Sequence, residues 1–222
     1  EKLISKLQTR NIFSIINKKH KKDIRCNLLL LRSLSPDGSV YYAIQEYDSV
    51  NKILHTRIPS EDETAYLSDI LFLDGNKVCK HEIGEEYLKA AYLESDLSFV
   101  LFSKFIDERT RTSEASISVC GLLFLNYLYN KDFSRNLYIE LICSEGRSES
   151  ETIGLGSKFM QLTESIAKDG KFKKIVLSSV DKPLGFYLSK SYKAVKGTDM
   201  YEIPEGIKIP IFKRGKLLQS NL

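Results

Sequence analysis

The first half of the chain alternates short apolar runs with turn residues, as a small antiparallel sheet does. Apolar positions at helical spacing over residues 3–17 predict an amphipathic helix. The runs Cys26–Leu34 and Val40–Tyr47 flank Ser35-Pro36-Asp37-Gly38, a strong turn signal, so we expect a hairpin there. A third strand is expected at Asn51–Ile58.

Two helices are expected next. Ser60 precedes an acidic first turn, and Glu63 stands three residues later, which is the pattern of a capping box with Ser60 as N-cap. Gly75 and Asn76 interrupt the helical pattern, and we expect the first helix to end there. Residues Gly84–Leu93 predict the second helix.

The second half has longer runs rich in Val, Ile, Leu, Phe and Ser, which favour strands. A helix is expected after Gly154, because apolar residues recur along one face until Gly170. The chain should then form a short helix at Leu184–Tyr192 and a closing hairpin within Met200–Lys213. The strands expected in this half are Leu97–Phe105, Ala115–Tyr127, Leu137–Ser144 and Lys174–Val180.

These elements predict an α/β fold built on a mixed sheet. Antiparallel strands come first, and a parallel strand–helix–strand unit over 137–180 follows, because a helical crossover returns the chain in the same direction. Ligands in such sheets bind beyond the carboxyl ends of the strands. Residues 96–222 should form the ligand-binding domain, while residues 1–95 either complete the same fold or form a subdomain.

Composition narrows the class of protein. Hydrophobic residues make up 42% of the 222 residues, enough for a sizeable core, and no apolar run is long enough to cross a bilayer. We therefore expect no membrane partner and an intracellular protein, cytoplasmic or nuclear. The spacing of the four cysteines is not that of a zinc site, so we expect them to be buried thiols in a reducing compartment. They are Cys26, Cys79, Cys120 and Cys143.

The net charge of +4 is unevenly placed, with basic clusters at Lys18–Lys22 and Lys213–Lys216. These clusters fit a solvated helix end and a tail, or an electrostatic contact with nucleic acid, although no aromatic residues are interspersed. Acidic runs at Glu61–Glu63 and Glu82–Glu86 fit solvated helix ends, or a surface that attracts a cationic acceptor molecule.

The main candidate for chemistry lies between the strand Leu137–Ser144 and the following helix. It contains Glu151-Thr152-Ile153-Gly154-Leu155-Gly156, so a strand leads into a helix start with a Gly-x-Gly pattern. Free backbone N–H groups and the positive end of the helix dipole bind anions at such a point, and glycines allow close approach. A pyrophosphate is the expected ligand, and an ordinary glycine turn is the alternative.

This stretch resembles the cofactor motif of the GNAT superfamily of acyl-CoA-dependent N-acyltransferases. The family motif has a hydrophobic residue at the strand end, four residues, Gln or Arg, two residues, and Gly-x-Gly or Gly-x-Ala. Here the same spacing runs from Gly146 through Glu151 to Gly154 and Gly156. Downstream, Phe186-Tyr187 and Ser191-Tyr192 stand where the family often has an aromatic pair and Gly-Phe. The resemblance covers roughly residues 97–192 and is slightly greater for histone-type members.

The resemblance implies acetyl-CoA as the acyl donor. Two positions depart from the family: Glu151 replaces Gln or Arg, and Gly146 replaces a hydrophobic residue. We expect Arg147 or Lys158 to supply the positive charge that Glu151 does not. The residues expected to bind the donor are Ser144, Glu145, Gly146, Arg147, Ile153, Gly154, Leu155, Gly156, Ser157 and Lys158.

Acyl transfer to an amine needs a base that removes a proton from the ammonium group. Glu140 is the candidate, since it lies with Tyr138 and Ile142 on the face of the strand opposite a wholly apolar face, where partial burial would raise its pKa. Histone-type members have a glutamate base on the corresponding strand. The alternative is a surface glutamate or one paired with a lysine. The apolar side consists of Leu137, Ile139, Leu141 and Cys143.

The resemblance also places Tyr187 near the thioester sulfur, as an acid that protonates the leaving thiolate. A pair of core aromatics is the alternative for Phe186-Tyr187. A backbone N–H at the strand end, around Ser144–Gly146, is the expected oxyanion donor if that strand separates from its parallel neighbour.

Together these features predict an N-acetyltransferase that transfers an acetyl group from acetyl-CoA directly to an amine, either a protein lysine or a small polyamine-like molecule. The alternatives are a GNAT-like binding or scaffold module without catalysis, and a protein that binds nucleic acid. No metal is expected, because His20, His55 and His81 form no pattern. The serines lack the context of a hydrolase nucleophile.

Overall fold

The computed structural model describes residues 6–7, 12, 26–48, 51, 53–106, 115–129, 135–144, 154–179, 184–194 and 216–221. The helices within these ranges are α1 (Glu61–Val78), α2 (Glu85–Glu94), α3 (Leu155–Asp169) and α4 (Leu184–Ser189). The strands are β1 (Leu28–Leu34), β2 (Val40–Asp48), β3 (Ile53–Arg57), β4 (Leu97–Ile106), β5 (Ala115–Tyr129), β6 (Arg135–Ser144), β7 (Lys174–Ser179), β8 (Lys193–Ala194) and β9 (Lys216–Asn221).

The described strands are hydrogen-bonded in the order β3-β2-β1-β4-β5-β6-β7-β9-β8. β1 pairs antiparallel with β2 and β4, and β2 pairs antiparallel with β3. β6 and β7, which are joined through α3, pair in parallel, and β9 runs antiparallel to β7 and β8. The predicted fold class, a mixed sheet with a parallel strand–helix–strand unit, is therefore confirmed.

The chain divides into two compact units, and β5 and β6 are each shared between them. The first unit comprises residues 1–124 and 141–162, and the second comprises residues 125–140 and 163–222. Because β1 pairs with β4 from Leu28 to Ser33, the early strands lie in one sheet with the strand that opens the second half. The domain boundary expected near residue 95 stays a prediction.

Local sequence signals account for the elements of the first unit. At the β1–β2 turn, Gly38 has φ of 85°, and its N–H donates to the carbonyl of Ser35 at 2.9 Å. The Oγ of Ser60 accepts the N–H of Glu63 at 3.2 Å, as expected of an N-cap. The Glu63 carboxylate pairs with Arg57, which follows from β3 lying beside the start of α1.

α1 and α2 cover one face of the first unit's sheet. Their buried residues form one cluster with strand residues such as Leu30, Val100, Leu122 and Phe124. The opposite face at β5 is covered by the start of α3, since a Cβ on Gly121 would lie 2.7 Å from Leu155 Cδ2. Helices on both faces bury the central strands, which explains their nearly continuous apolar sequence.

The predicted end of α1 at Gly75 and Asn76 is wrong, because the helix continues to Val78. Gly75 is buried, and a Cβ there would lie 2.8 Å from Leu88 Cδ2 of α2. Glycine thus permits close contact between the two helices. That packing outweighs the helix penalty of glycine, roughly 1 kcal/mol relative to alanine.

The prediction of reduced thiols is wrong for Cys79 and Cys143, which form a disulfide. Cys79 is the C-cap of α1, so the extra turn of helix beyond Gly75 carries it towards the end of β6. Their Cα atoms lie 5.1 Å apart, within the range for a disulfide. Cys26 and Cys120 are free and buried, as predicted.

In the second unit, an aromatic cluster lies between β5, β6 and the end of α3. The ring centroids of Tyr127 and Phe172 are 5.2 Å apart, and the Arg135 guanidinium lies 4.9 Å from the Phe172 ring. Arg135 also donates to the carbonyl of Gly170 at 2.6 Å. These contacts fix the beginning of β6 against the turn that leads into β7.

Several expected elements lie partly or wholly outside the described residues. The helix expected over 3–17 is described at Lys6, Leu7 and Ile12, which are helical. The hairpin expected within Met200–Lys213 lies outside these ranges, as do both basic clusters except for Lys216. Among the described residues, no helix has the length and apolar character needed to cross a membrane, and no cluster of metal-ligating side chains is found.

Candidate functional site

The end of β6 and the start of α3 contain the described part of the predicted donor site. β6 extends to Ser144, and α3 starts at Leu155 after Gly154. The order of strand, helix and parallel strand predicted for an anion site is therefore present. Leu155, Gly156, Ser157 and Lys158 form the first turn of α3.

Gly154 adopts a conformation that favours glycine, with φ of 59°. Among the described residues, none would lie within 4 Å of a Cβ placed at this position. Its carbonyl accepts the N–H of Lys158 at 3.1 Å, which is the first hydrogen bond of α3. The N–H groups before Lys158 have no acceptor within an α-helix, so they are available to an anion.

The electrostatics of this helix start also suit an anion. The first turn of α3 contains no acidic residue, whereas α1 and α2 begin with two or three. Lys158 is half-buried in that turn, and its Nζ lies 3.5 Å from Gln161 Oε1. The positive end of the helix dipole is therefore not compensated by side chains of its own first turn.

Gly121 of β5 positions this helix start. A Cβ on Gly121 would lie 2.7 Å from Leu155 Cδ2 and 2.8 Å from Phe159 Cε2. Both separations are shorter than ordinary contacts, so glycine lets α3 lie directly against the strand. Leu155 and Phe159 are themselves buried, which anchors the first turn of α3 in the core.

We predict that Gly121→Val displaces the start of α3. The added methyl groups must move Leu155 and Phe159, and such overpacking costs about 1–3 kcal/mol of stability. The affinity for acetyl-CoA should fall as well, because the displaced turn contains the expected phosphate-binding N–H groups. Urea unfolding and calorimetric titration with acetyl-CoA measure the two effects.

Gly185→Ala is the matched control, because a Cβ at this helical glycine of α4 would meet nothing within 4 Å. Its donor affinity should remain close to that of the unchanged protein, and its stability should not fall, because alanine is favoured over glycine in a helix. Equal donor affinity in Gly121→Val and the unchanged protein would contradict the positioning role of Gly121.

β6 and β7 pair over only part of their length. The parallel register joins Asn136–Ile139 to Lys174–Leu177, whereas β6 continues to Ser144. The described ladder thus ends where Glu140 begins the last part of β6. The oxyanion donor expected near Ser144 stays a prediction.

Glu140 is a buried carboxylate in the second unit. Only 6% of its surface is exposed, which excludes the alternative of a surface glutamate. Its Oε2 accepts a hydrogen bond from Nδ2 of Asn126 at 3.2 Å. Tyr138, two residues earlier on the same face of β6, is equally buried, and Ile139 on the other face is 3% exposed, so both faces of the strand are covered at this point.

Tyr187 lies on α4 in an aromatic group. Its ring centroid is 5.2 Å from that of Phe186 and 6.3 Å from that of Tyr192. Burial raises the pKa of Tyr187 to about 12. The phenol is therefore protonated throughout the physiological range, so it can donate a hydrogen bond or a proton there but cannot act as an anionic base.

The structure describes eight of the twelve residues predicted to contact the donor or to take part in catalysis. Ser144 and Gly154–Lys158 belong to the first unit, and Glu140 and Tyr187 to the second. Glu145, Gly146, Arg147 and Ile153, and the departing residue Glu151, lie outside the described residues. Their roles stay predictions.

Asn126 is a contact of Glu140 that the sequence analysis missed. It is the one polar residue in the run Leu122–Leu128 apart from the Tyr127 hydroxyl, and that interruption was the available signal. Periodicity alone does not reveal its partner, because the partner lies on the next strand.

Comparisons with known proteins give structural similarities only. No protein-family model matches the chain, and no curated protein sequence matches it. The structure is similar to that of an acetyltransferase from Streptococcus agalactiae, with a TM-score of 0.45 and 16% sequence identity. The match covers 71% of this chain and 90% of that one. It is also similar to Tetrahymena GCN5, with a TM-score of 0.42 and 11% sequence identity, over 73% of this chain and 89% of that one.

A third similar structure is a GNAT family acetyltransferase from Elizabethkingia anophelis with acetyl-CoA bound. It has a TM-score of 0.39 and 15% sequence identity, over 70% of this chain and 90% of that one. Of the three, the Elizabethkingia protein bears the family name suggested by the motif. The overlaps are distant and partial, so the functional argument rests on the residues of this chain.

Proposed function

We propose that this chain is an acyl-CoA-dependent N-acetyltransferase of the GNAT type, which transfers an acetyl group from acetyl-CoA directly to an amine. The observation that carries the proposal is the helix start at Gly154. It combines a positive φ with a first turn that has no acidic residue, and it follows β6 along the chain.

The donor fits the residues present at this helix start. Backbone N–H groups of Leu155, Gly156 and Ser157 would bind the pyrophosphate, and Lys158 would add positive charge. Ser144 at the end of β6 would lie along the acyl-bearing arm. Glu145, Gly146, Arg147 and Ile153 are proposed to complete the site, on the strength of the motif alone.

The acetyl-CoA thioester supplies an activated acyl group. In the proposed reaction the amine nitrogen forms a bond to the acyl carbon, the carbon–sulfur bond breaks, and the electron pair of that bond leaves with sulfur. Glu140 would accept the proton lost by the nitrogen, directly or through water. A backbone N–H near Ser144 would stabilise the negative charge that develops on the acyl oxygen.

Tyr187 would donate to the departing sulfur. With a pKa near 12, its phenol is a weaker acid than a thiol, whose ordinary pKa is about 8.5. Complete proton transfer to the thiolate is therefore unfavourable, and a hydrogen bond that stabilises the thiolate is the favoured role. The thiolate would take its proton finally from water.

We predict that Tyr187→Phe lowers kcat about threefold to tenfold, the effect of losing one hydrogen bond. The KM for acetyl-CoA should stay the same, because the ring and its contacts with Phe186 and Tyr192 remain. Steady-state kinetics and thermal unfolding measure the two properties. A kcat equal to that of the unchanged protein would assign Tyr187 to packing only.

The proposed acceptors are protein lysines or small polyamine-like amines. The test is release of the CoA thiol from acetyl-CoA, measured with a panel of lysine peptides, polyamines and free amino acids. Transfer to at least one amine, with mass spectrometry locating the acetyl group on nitrogen, supports the proposal.

The second candidate is a GNAT-like binding module without catalysis, which is favoured by Glu151 and Gly146 at motif positions that normally contact the donor. Binding of acetyl-CoA without transfer to any amine in the panel would favour this candidate. Steeply salt-dependent binding of DNA or RNA, without donor binding, would favour a nucleic-acid-binding protein instead.

A further inference from the structure

We infer that Asn126 is a positioning residue for the catalytic base, an inference that rests on the proposed function. Its Nδ2 donates to Oε2 of Glu140 at 3.2 Å, and it lies on β5, the strand next to β6 in the sheet. Both residues belong to the second unit, so this contact lies within one compact part of the protein.

A carboxylate that is buried to the extent of Glu140 needs hydrogen-bond donors, because burial without them disfavours the charged form. An amide suits a general base in two respects. It stabilises the ionised carboxylate, which is the form that accepts a proton, and it carries no charge and exchanges no proton itself. A lysine or arginine at residue 126 would instead form an ion pair and weaken the base.

Aromatic packing holds the strand segment that bears Asn126. The next residue, Tyr127, packs on Phe172, whose ring is also contacted by Arg135 at the start of β6. The two strands that bear Asn126 and Glu140 are thus held by one shared aromatic ring. Such support fixes one carboxylate oxygen and thereby the direction in which the carboxyl group faces the acceptor.

The test is a cycle of four proteins: unchanged, Asn126→Leu, Glu140→Gln and the double variant. Asn126→Leu should lower kcat by about tenfold, the factor expected for one hydrogen bond to a charged group, with the KM for acetyl-CoA within about twofold. In the presence of Glu140→Gln, the same substitution should change kcat by less than about twofold, because Asn126 acts through the carboxylate.

Asn126→Asp provides a second variant of the same size, and it should also lower kcat because it removes the donor. Asn126→Gln retains a donor and should recover part of the rate. The matched control is Asn51→Leu, which removes an exposed hydrogen bond from Asn51 Nδ2 to Asp48 at 2.7 Å and should leave kcat unchanged. Thermal unfolding establishes that each variant is folded.

The inference would be overturned if Asn126→Leu lowered kcat by the same factor in the unchanged protein and in Glu140→Gln. It would also be overturned if Asn126→Leu left kcat unchanged while Glu140→Gln alone was inactive. Either result leaves the proposed function intact. Absence of acetyl transfer by the unchanged protein would overturn the proposed function and this inference together.

Discussion

Glu140→Gln is expected to lower kcat by about a hundredfold or more near neutral pH, within the range that general base catalysis contributes. The substitution keeps the size of the side chain, and its amide oxygen can still accept from Asn126. The fold and the KM for acetyl-CoA should therefore be preserved. Only the proton acceptor is lost.

The deficit should be largest at low pH and should shrink as pH rises. A lysine amine has an ordinary pKa near 10.4, so the fraction that needs no base increases steeply between about pH 7 and pH 10. Rate measurements over this range test the prediction. Glu94→Gln, at an exposed position at the end of α2, is the control and should retain the unchanged rate. If Glu140→Gln had the same rate as the unchanged protein at every pH, Glu140 would have no part in the mechanism.

Loss of the Cys79–Cys143 disulfide is expected to have the largest effect on stability. The bond joins residues 64 positions apart, and a loop of that length corresponds to about 4 kcal/mol in the chain-entropy account. It also ties the C-cap of α1 to the last part of β6, next to Ser144. The free energy of unfolding should therefore fall in the double variant Cys79→Ser, Cys143→Ser.

Guanidinium unfolding with and without a phosphine reductant measures this effect. The reductant should destabilise the unchanged protein and leave the double variant unaffected. A variant with Cys26→Ala and Cys120→Ala should still respond to the reductant, because those thiols are free. Identical unfolding curves for the unchanged protein in both conditions would contradict the disulfide.

Much of the fold was predictable because its signals are local. The turn at Ser35–Gly38 and the N-cap at Ser60 each depend on a few adjacent residues, and both have the expected hydrogen bonds. The parallel pairing of β6 and β7 also followed from the helix between them.

The errors came from contacts between residues that are distant in sequence. Gly75 was expected to break α1, yet it is retained within the helix by its close contact with Leu88. Cys79 and Cys143 gave no pairing signal, because their proximity depends on the length of α1 and the position of β6.

In the candidate site, too, the features with local signals were predictable and those that depend on distant contacts were not. The helix start after Gly154 was visible as a motif, whereas the oxyanion donor near Ser144 stays a prediction. The burial of Glu140 was expected in part from strand alternation, whereas its partner Asn126 depended on the pairing of β5 with β6. Sequence periodicity specifies faces of strands, but it does not specify which residues meet across them.

Thermal unfolding with acetyl-CoA, CoA and ATP tests the central claim most directly, because a ligand that binds the folded state must raise the melting temperature. At a hundred times its Kd such a ligand adds about 2.7 kcal/mol, which is a shift of several degrees for a chain of this size. We expect a concentration-dependent rise with acetyl-CoA and CoA, and none with ATP. No shift at millimolar acetyl-CoA would contradict it.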